Sequence, residues 1–281
     1  MNELSAYAYA KINLTLDIAG LRDDGYHLIK SVMQTVSLAD EIRIRTTDDN
    51  RITIKCSDPS VPCDERNTVY KACVKFFDFT QILKCGVEIY IDKHIPSEAG
   101  LGGGSSDAAA VIKLLDEIFD TKLSYDDMCK IGASVGADVP FCVMLGTALC
   151  EGMGEVITPL KKLKKHYVLL VKPNFGVSTP LAYKLFDEKK VVTANASDKM
   201  VEALESDTDI TKLLANDLER AIEMAEISDI KQKLIKLGAD GALMTGSGSC
   251  VYGLFTDNEK AFTAFKALDR SYPFVYLAET I

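Results

Sequence analysis

Histidine is scarce in this chain of 281 residues: His27, His94 and His166 are the only three, and they share no spacing that suits zinc, which argues against a metal centre. The eight cysteines, at 56, 63, 73, 85, 129, 142, 150 and 250, contain no C-x-x-C pair. Several stand in apolar runs such as FCVMLG, so they read as reduced core residues. Basic charge is in deficit: 32 Lys and Arg against 41 Asp and Glu leave a net charge of −9, with a pI near 5.0. That balance argues against a broad nucleic-acid or anionic-membrane surface and leaves room for one local basic pocket that takes an anionic metabolite. The expected partners are small molecules, with no nucleic acid and no membrane, acting on a monomer or homodimer.

Long apolar runs are also missing. The most apolar stretch, residues 131 to 150, carries Asp138, Pro140 and three glycines, which argues against a spanning helix. The opening MNELSAYAYAKINL has no basic flank followed by a continuous apolar segment, so no signal peptide is evident and a cytoplasmic protein is expected. Familiar phosphate-binding strings are absent as well. No Gly-Lys-Ser/Thr follows the glycines, Ser105 stands where the last glycine of a dinucleotide fingerprint belongs, and the protein-kinase His-Arg-Asp and Asp-Phe-Gly strings do not occur. A nucleotide bound by this chain is bound in another fold.

What is present is the stretch PSEAGLGGGSSDAAA, residues 96 to 110. Gly100, Gly102, Gly103 and Gly104 permit positive φ and let bare N–H groups approach a ligand. Ser105 and Ser106 are expected to cap a helix whose apolar residues Val111, Leu114, Leu115 and Ile118 recur at helical spacing. A helix N-terminus suits a polyphosphate. The plainer reading, a glycine-rich turn before an ordinary helix, has comparable weight for this run alone.

Along the chain, strict alternation from Ala8 to Ile18 predicts a strand that places Lys11 and Asn13 on one polar face with Thr15 and Asp17. That face reads as solvated surface. A turn at Arg22 to Gly25 leads to Tyr26 and His27 in a loop. Alternating isoleucines on either side of TTDDN predict a hairpin, residues 69 to 77 a helix and residues 87 to 91 a strand, so the first half reads as α+β with hairpins instead of repeated βαβ units. Ser124 and Asp127 form a capping box for a helix ending near Gly136. Asp138 in GADVP is either a turn cap or a group facing a reacting hydroxyl, since an unpaired acid in apolar surroundings is costly. KKLKK, residues 161 to 165, reads as a solvated connection between two domains, 1–158 and 159–281. Strands at 167 to 171, around TGSGS (245 to 249) and at 274 to 277 alternate with helices in the second half. TGSGS is either a hairpin turn or a second glycine-rich wall.

In order, AKINLTLDIAGLRDDGYH, IPSEAGLGGGSSDAAA, GADVPF and TGSGSCVYGLF resemble the characteristic segments of the GHMP small-molecule kinases. The first carries a signature of the branch that acts on a cytidyl-diphosphate sugar alcohol, and EGMGEVITPL and ANDLE also look like that branch. The resemblance spans essentially the whole chain. It implies a two-domain α+β fold, with an N-terminal ribosomal-protein-type β-α domain and a C-terminal ferredoxin-like domain. It implies transfer of the ATP γ-phosphate to the tertiary 2-hydroxyl of a cytidyl-diphosphate methylerythritol, giving the 2-phosphate and ADP, in non-mevalonate isoprenoid synthesis.

Lys11 and Asp138 match the family's catalytic pair. Asn13, Tyr26, His27 and Tyr183 match its cytidine site, and Lys93, Pro96, Gly100, Leu101, Gly102, Gly103, Gly104, Ser105 and Ser106 its ATP site. Magnesium is expected mainly on the ATP phosphates, with no protein ligand assigned. Two positions depart from the pattern: Glu98 replaces a small or apolar residue, and Ser249 stands where many relatives carry proline. The alternatives are a GHMP kinase for another alcohol, such as mevalonate or homoserine, and a non-catalytic nucleotide- or RNA-binding module.

Overall fold

The computed structural model describes residues 3–82 and 85–281. In chain order, two long strands, β1 (Glu3–Leu21) and β2 (His27–Thr47), are followed by β3 (Ile52–Cys56), α1 (Thr68–Thr80) and β4 (Gly86–Asp92). Next come α2 (Gly103–Phe119), α3 (Tyr125–Ala133), α4 (Val139–Met144), β5 (Thr147–Glu151) and β6 (Val156–Pro159). The remainder is β7 (Tyr167–Lys172), α5 (Thr179–Lys189), α6 (Ser197–Glu205), β8 (Ala215–Asn216), α7 (Asp217–Ile222), α8 (Ala225–Lys236), β9 (Gly241–Met244), β10 (Val251–Phe255), α9 (Asn258–Leu268) and β11 (Phe274–Glu279). The chain forms two compact units, and neither is one continuous stretch. The first comprises Met1–Ala10, Ala39–Ile95 and Gly102–Leu145; the second comprises Lys11–Leu38, Pro96–Leu101 and Gly146–Ile281.

In the first unit, β2 and β3 do not form the hairpin expected across TTDDN. β4 lies between them, antiparallel to β2 with Ile89 opposite Ile44, and parallel to β3 with Ile89 opposite Ile54. Alternation marks which residues face the core but leaves the pairing partner open. A parallel pair needs a crossover, which α1 supplies, so β3-α1-β4 is a βαβ unit in a half of the chain read as hairpins. Asn67 caps α1 by accepting from Val69 N at 2.8 Å, and the helix buries Val69, Ala72, Cys73, Phe76 and Phe77. Phe76 and Phe77 meet Phe119 of α2, which packs beside α1.

Ser124 caps α3 as expected, accepting from Asp127 N. The helix ends at Ala133, short of Gly136, where the chain turns tightly into α4. A side chain on Gly132 would stand 2.8 Å from Val139 Cγ1, so glycine lets α4 close onto α3.

The second unit holds the order β6-β5-β2-β1-β8 and a separate antiparallel sheet ordered β11-β7-β10-β9. The latter, strung as β7, helices, β9, β10, α9, β11, is the ferredoxin-like arrangement, with α8 and α9 packed against it. From Ala10 to Ile18 every residue of β1 is buried, the polar ones included. The solvated-face reading of Lys11, Asn13, Thr15 and Asp17 is thereby corrected, because β2, α6, β10 and the β9–β10 turn supply hydrogen-bonding groups there (below). Leu163 in KKLKK is buried, Lys161 pairs with Asp207 at 2.7 Å, and Lys165 pairs with Glu279 at 2.6 Å. That connection is tied down and not simply solvated.

Of the eight free cysteines, Cys73, Cys142, Cys150 and Cys250 are core residues, Cys56, Cys85 and Cys129 are half-buried, and Cys63 is exposed. The core reading therefore holds for four of them. Among the described residues, no helix is long and apolar enough to cross a membrane.

Candidate active site

The glycine-rich loop contributes to both units. In the second, Gly100 (φ +72°) presses so close to Thr245 that an added Cβ would stand 2.0 Å from the Thr245 carbonyl oxygen. Gly100→Ala should therefore cost about 1–3 kcal/mol from backbone strain alone, with the clash adding to it. A urea midpoint equal to that of the unaltered protein would refute this account of the glycine.

In the first unit, Gly102 (φ +72°) is the N-cap of α2 and no side chain caps the helix. The expected caps, Ser105 and Ser106, lie inside the first turn because only glycine enters the helix cheaply through left-handed backbone. Ser106 Oγ instead donates to the carbonyls of Tyr9 (2.6 Å) and Gly102 (3.1 Å). The leading N–H groups of a 17-residue helix thus lack side-chain acceptors, which is the condition for anion binding. A Cβ on Gly103 would lie 3.2 Å from Lys93 Nζ, and one on Gly104 3.2 Å from Thr68 Oγ1. Lys93 itself is buried beneath this turn, pairing with Asp107 at 2.9 Å and with Asp40.

Lys11 begins a buried polar row in the second unit. Its backbone N–H donates to the Leu101 carbonyl (3.0 Å), and its Nζ donates to Asn13 Oδ1 (2.8 Å). Asn13 Nδ2 donates to Ser31 Oγ (2.8 Å), and Ser31 Oγ donates to the Thr15 carbonyl (2.6 Å). Thr245 Oγ1 receives Asn13 N–H (3.1 Å), and Tyr252 donates its hydroxyl to the Asn13 carbonyl (2.8 Å). Burial raises the Tyr252 pKa well above its ordinary value, so that hydroxyl keeps its proton. Asp17 receives the N–H groups of Ala196 (3.0 Å) and Ser197 (2.8 Å), which docks the start of α6 on β1.

Lys11 Nζ lies 3.4 Å from where a side chain on Gly246 would begin, so TGSGS is both the β9–β10 turn and a wall against the lysine. Asn216 of ANDLE holds that wall by donating to the Met244 and Gly246 carbonyls, each at 2.8 Å. Glu98, the departure in the loop, has φ +50°. Its carboxylate lies over Gly176, where a Cβ would stand 2.2 Å from Oε2.

The turn at Arg22 to Gly25 forms as expected and leaves Tyr26 exposed. His27 stacks on Tyr183, with ring centroids 4.7 Å apart, and its Nε2 meets Asp187 Oδ1 at 2.8 Å. Phe186 meets the same imidazole edge-on. Tyr183, Phe186 and Asp187 fall at i, i+3 and i+4 of α5, so one helix face serves His27.

In the first unit, Asp138 is half-buried at the N-cap position of α4, with helical backbone angles and no side-chain cap bond. Asp40, Asp107, Asp187, Ser31 and Thr245 were missed from sequence. Only Asp187 carried a signal, its spacing from Tyr183; the others depend on partners distant in the chain. Among the described residues, no group of three or more His, Cys, Asp or Glu gathers to hold a metal ion.

The model of the GHMP kinases N terminal domain matches residues 67–146, and that of the GHMP kinases C terminal matches residues 199–273. The chain is 43% identical over 280 residues to a 4-diphosphocytidyl-2-C-methyl-D-erythritol kinase of Clostridium tetani, covering 98% of this chain and 99% of that one. It is 45% identical over 278 residues to the kinase of the same name from Clostridium kluyveri, with the same coverage. A crystal structure of 4-(cytidine 5'-diphospho)-2C-methyl-D-erythritol kinase superposes with a TM-score of 0.82 at 29% identity, covering 99% of each chain. The chain belongs to the GHMP kinases, and within them to the branch of the 4-diphosphocytidyl-2-C-methyl-D-erythritol kinases.

Proposed function

We propose that this chain transfers the γ-phosphate of ATP to the tertiary 2-hydroxyl of 4-diphosphocytidyl-2-C-methyl-D-erythritol, giving the 2-phosphate and ADP, in the synthesis of isoprenoid precursors. The observation that carries the reading is the buried Lys11 ammonium, fixed by Asn13 and set against Gly246 of a second glycine-rich turn. An ammonium held rigidly out of water suits charge that develops on an attacking oxygen. Phosphoryl transfer asks the protein mainly for positioning and charge stabilisation.

Asp138 orients the acceptor hydroxyl and takes its proton late. Lys11 stabilises charge on the attacking oxygen. Pro96, Gly100, Leu101, Gly102, Gly103, Gly104, Ser105 and Ser106 form the ATP loop, with Lys93 beneath it. Magnesium brought in with ATP would shield the phosphate charge. Tyr26, His27 and Tyr183 take the cytidyl group: stacking suits the base face, and the Asp187 contact fixes the imidazole. Asn13 serves the substrate by aiming Lys11. The KKLKK connection divides an N-terminal domain, 1–158, from a C-terminal one, 159–281, in a cytoplasmic enzyme.

ADP release with magnesium and ATP, compared across the cytidyl-diphosphate methylerythritol, mevalonate, homoserine and no acceptor, tests this directly. Selective turnover of the first is expected. Preference for mevalonate or homoserine would keep the kinase and overturn the cytidine site, whereas ATP binding without turnover of any acceptor would overturn catalysis.

A further inference from the structure

Three ionisable side chains of the first unit meet beneath the first turn of α2. Lys93 Nζ donates to Asp107 Oδ2 (2.9 Å) and to Asp40 Oδ2. The side chains of Lys93, Asp40 and Asp107 are only 6%, 0% and 4% exposed. Asp40 is well supplied, since its Oδ1 also accepts the N–H groups of His94 (2.5 Å) and Ile95 (2.8 Å). Asp107 accepts from Lys93 and lies within side-chain hydrogen-bonding reach of Asp40, while its Oδ1 has no hydrogen-bond partner. Two buried carboxylates around one ammonium are costly in a stability sense, and an unpartnered buried oxygen adds to that cost. Their place gives them a use: Nζ fits where Gly103 has no Cβ, beneath the first turn of α2.

We propose that Asp40 and Asp107 are positioning residues of the nucleotide loop, holding Lys93 beneath Gly103 as an internal strut and not as a direct phosphate ligand. The proposal rests on the reading that the N-terminus of α2 takes the ATP phosphates. A lysine that reached for phosphate would have to abandon two buried carboxyl groups and leave them without their shared cation. Held as a strut, it keeps Gly103 and the N–H groups beside it in register.

The charge of the assembly matters to an anionic ligand a turn away. Around Asp107 the charged and titratable groups are Asp40 from β2, Lys93 after β4, and the Cys56 thiol at the end of β3; Asp58 acts on Lys93. Burial pushes the Asp107 carboxyl up to about 8, with Lys93 opposing the rise and Asp40 adding to it. For Lys93, burial disfavours the charge, but Asp107 and Asp40 outweigh burial and its pKa is raised. Asp107 therefore holds its proton to higher pH than an ordinary carboxylate. Once it ionises, it adds negative charge to the strut under a polyphosphate site.

Calorimetric affinity for magnesium-ATP tests the proposal without any acceptor. Between pH 7 and pH 9, wild-type affinity should fall about fivefold more than that of Asp107→Asn, which cannot gain the charge. Lys93→Met should weaken ATP at least about tenfold by leaving the two buried carboxyl groups without their shared cation, and Lys93→Met/Asp107→Asn should recover most of that loss. Equal pH slopes in wild type and Asp107→Asn, or a double variant as weak as Lys93→Met, would overturn the strut. The second result would make Lys93 a phosphate ligand. Wild-type protein that binds no ATP would instead remove the nucleotide reading beneath the proposal. Thermal melts separate these outcomes from unfolding, and Asp107→Asn, which keeps an acceptor for Lys93, tests the idea even if Lys93→Met does not fold.

Discussion

Asp138→Asn should lower turnover about 10²- to 10⁴-fold while leaving ATP affinity within about twofold, the range expected when a single proton acceptor is removed. Asparagine keeps the size and polarity of aspartate but carries no charge and takes no proton. Because the carboxylate makes no side-chain cap bond to α4, the substitution should not unravel that helix. α4 is held by other means: Val139, Pro140 and Phe141 are buried, and proline stands in its first turn, where the missing N–H costs least. Rapid-quench ADP formation alongside calorimetric ATP binding makes the measurement. Turnover within tenfold of the original would remove Asp138 from the chemistry.

Lys11→Met should reduce kcat about 10²- to 10³-fold, comparable to losing one preorganised donor to a developing oxyanion. The two substrate KM values should each move less than about tenfold, because the interaction is strongest in the transition state. The stem of methionine occupies the space of the lysine chain, and β1 remains anchored by the Leu101 carbonyl and by Tyr252. Asn13 Oδ1 loses one donor and keeps Thr245 Oγ1 at 3.3 Å. A loss confined to KM for the acceptor would recast Lys11 as a binding group.

The alternation of β1, the Ser124 capping box and the strands around TGSGS were legible because each depends on residues close in sequence. The β3-α1-β4 crossover was not, since a run of alternating isoleucines does not say which strand lies beside it. The start of a helix just after the glycines was legible, yet its cap is Gly102 and not a serine. Composition marks serine as a good cap, whereas the left-handed entry into α2 is a matter of backbone. Lys11 and Asn13 stood out only through the resemblance; from periodicity alone they belonged to a wet face. Their burial depends on Thr245, Tyr252 and Ser31, up to 239 positions away. Asp107 carried no signal of its own, and the groups it meets, Asp40 of β2 and Lys93 just after β4, come from distant parts of the chain.

A strand with one wet face tolerates neutral change at every second position, and over long times its sequence drifts in that rhythm. From Ala10 to Ile18 this chain offers no such position, because the apolar side chains are packed and the intervening Lys11, Asn13, Thr15 and Asp17 are each committed to named atoms or buried without solvent. Inherited variation in the segment is therefore confined on both sides of the pleat, and the stretch should change as slowly as a catalytic loop although most of it never meets a substrate.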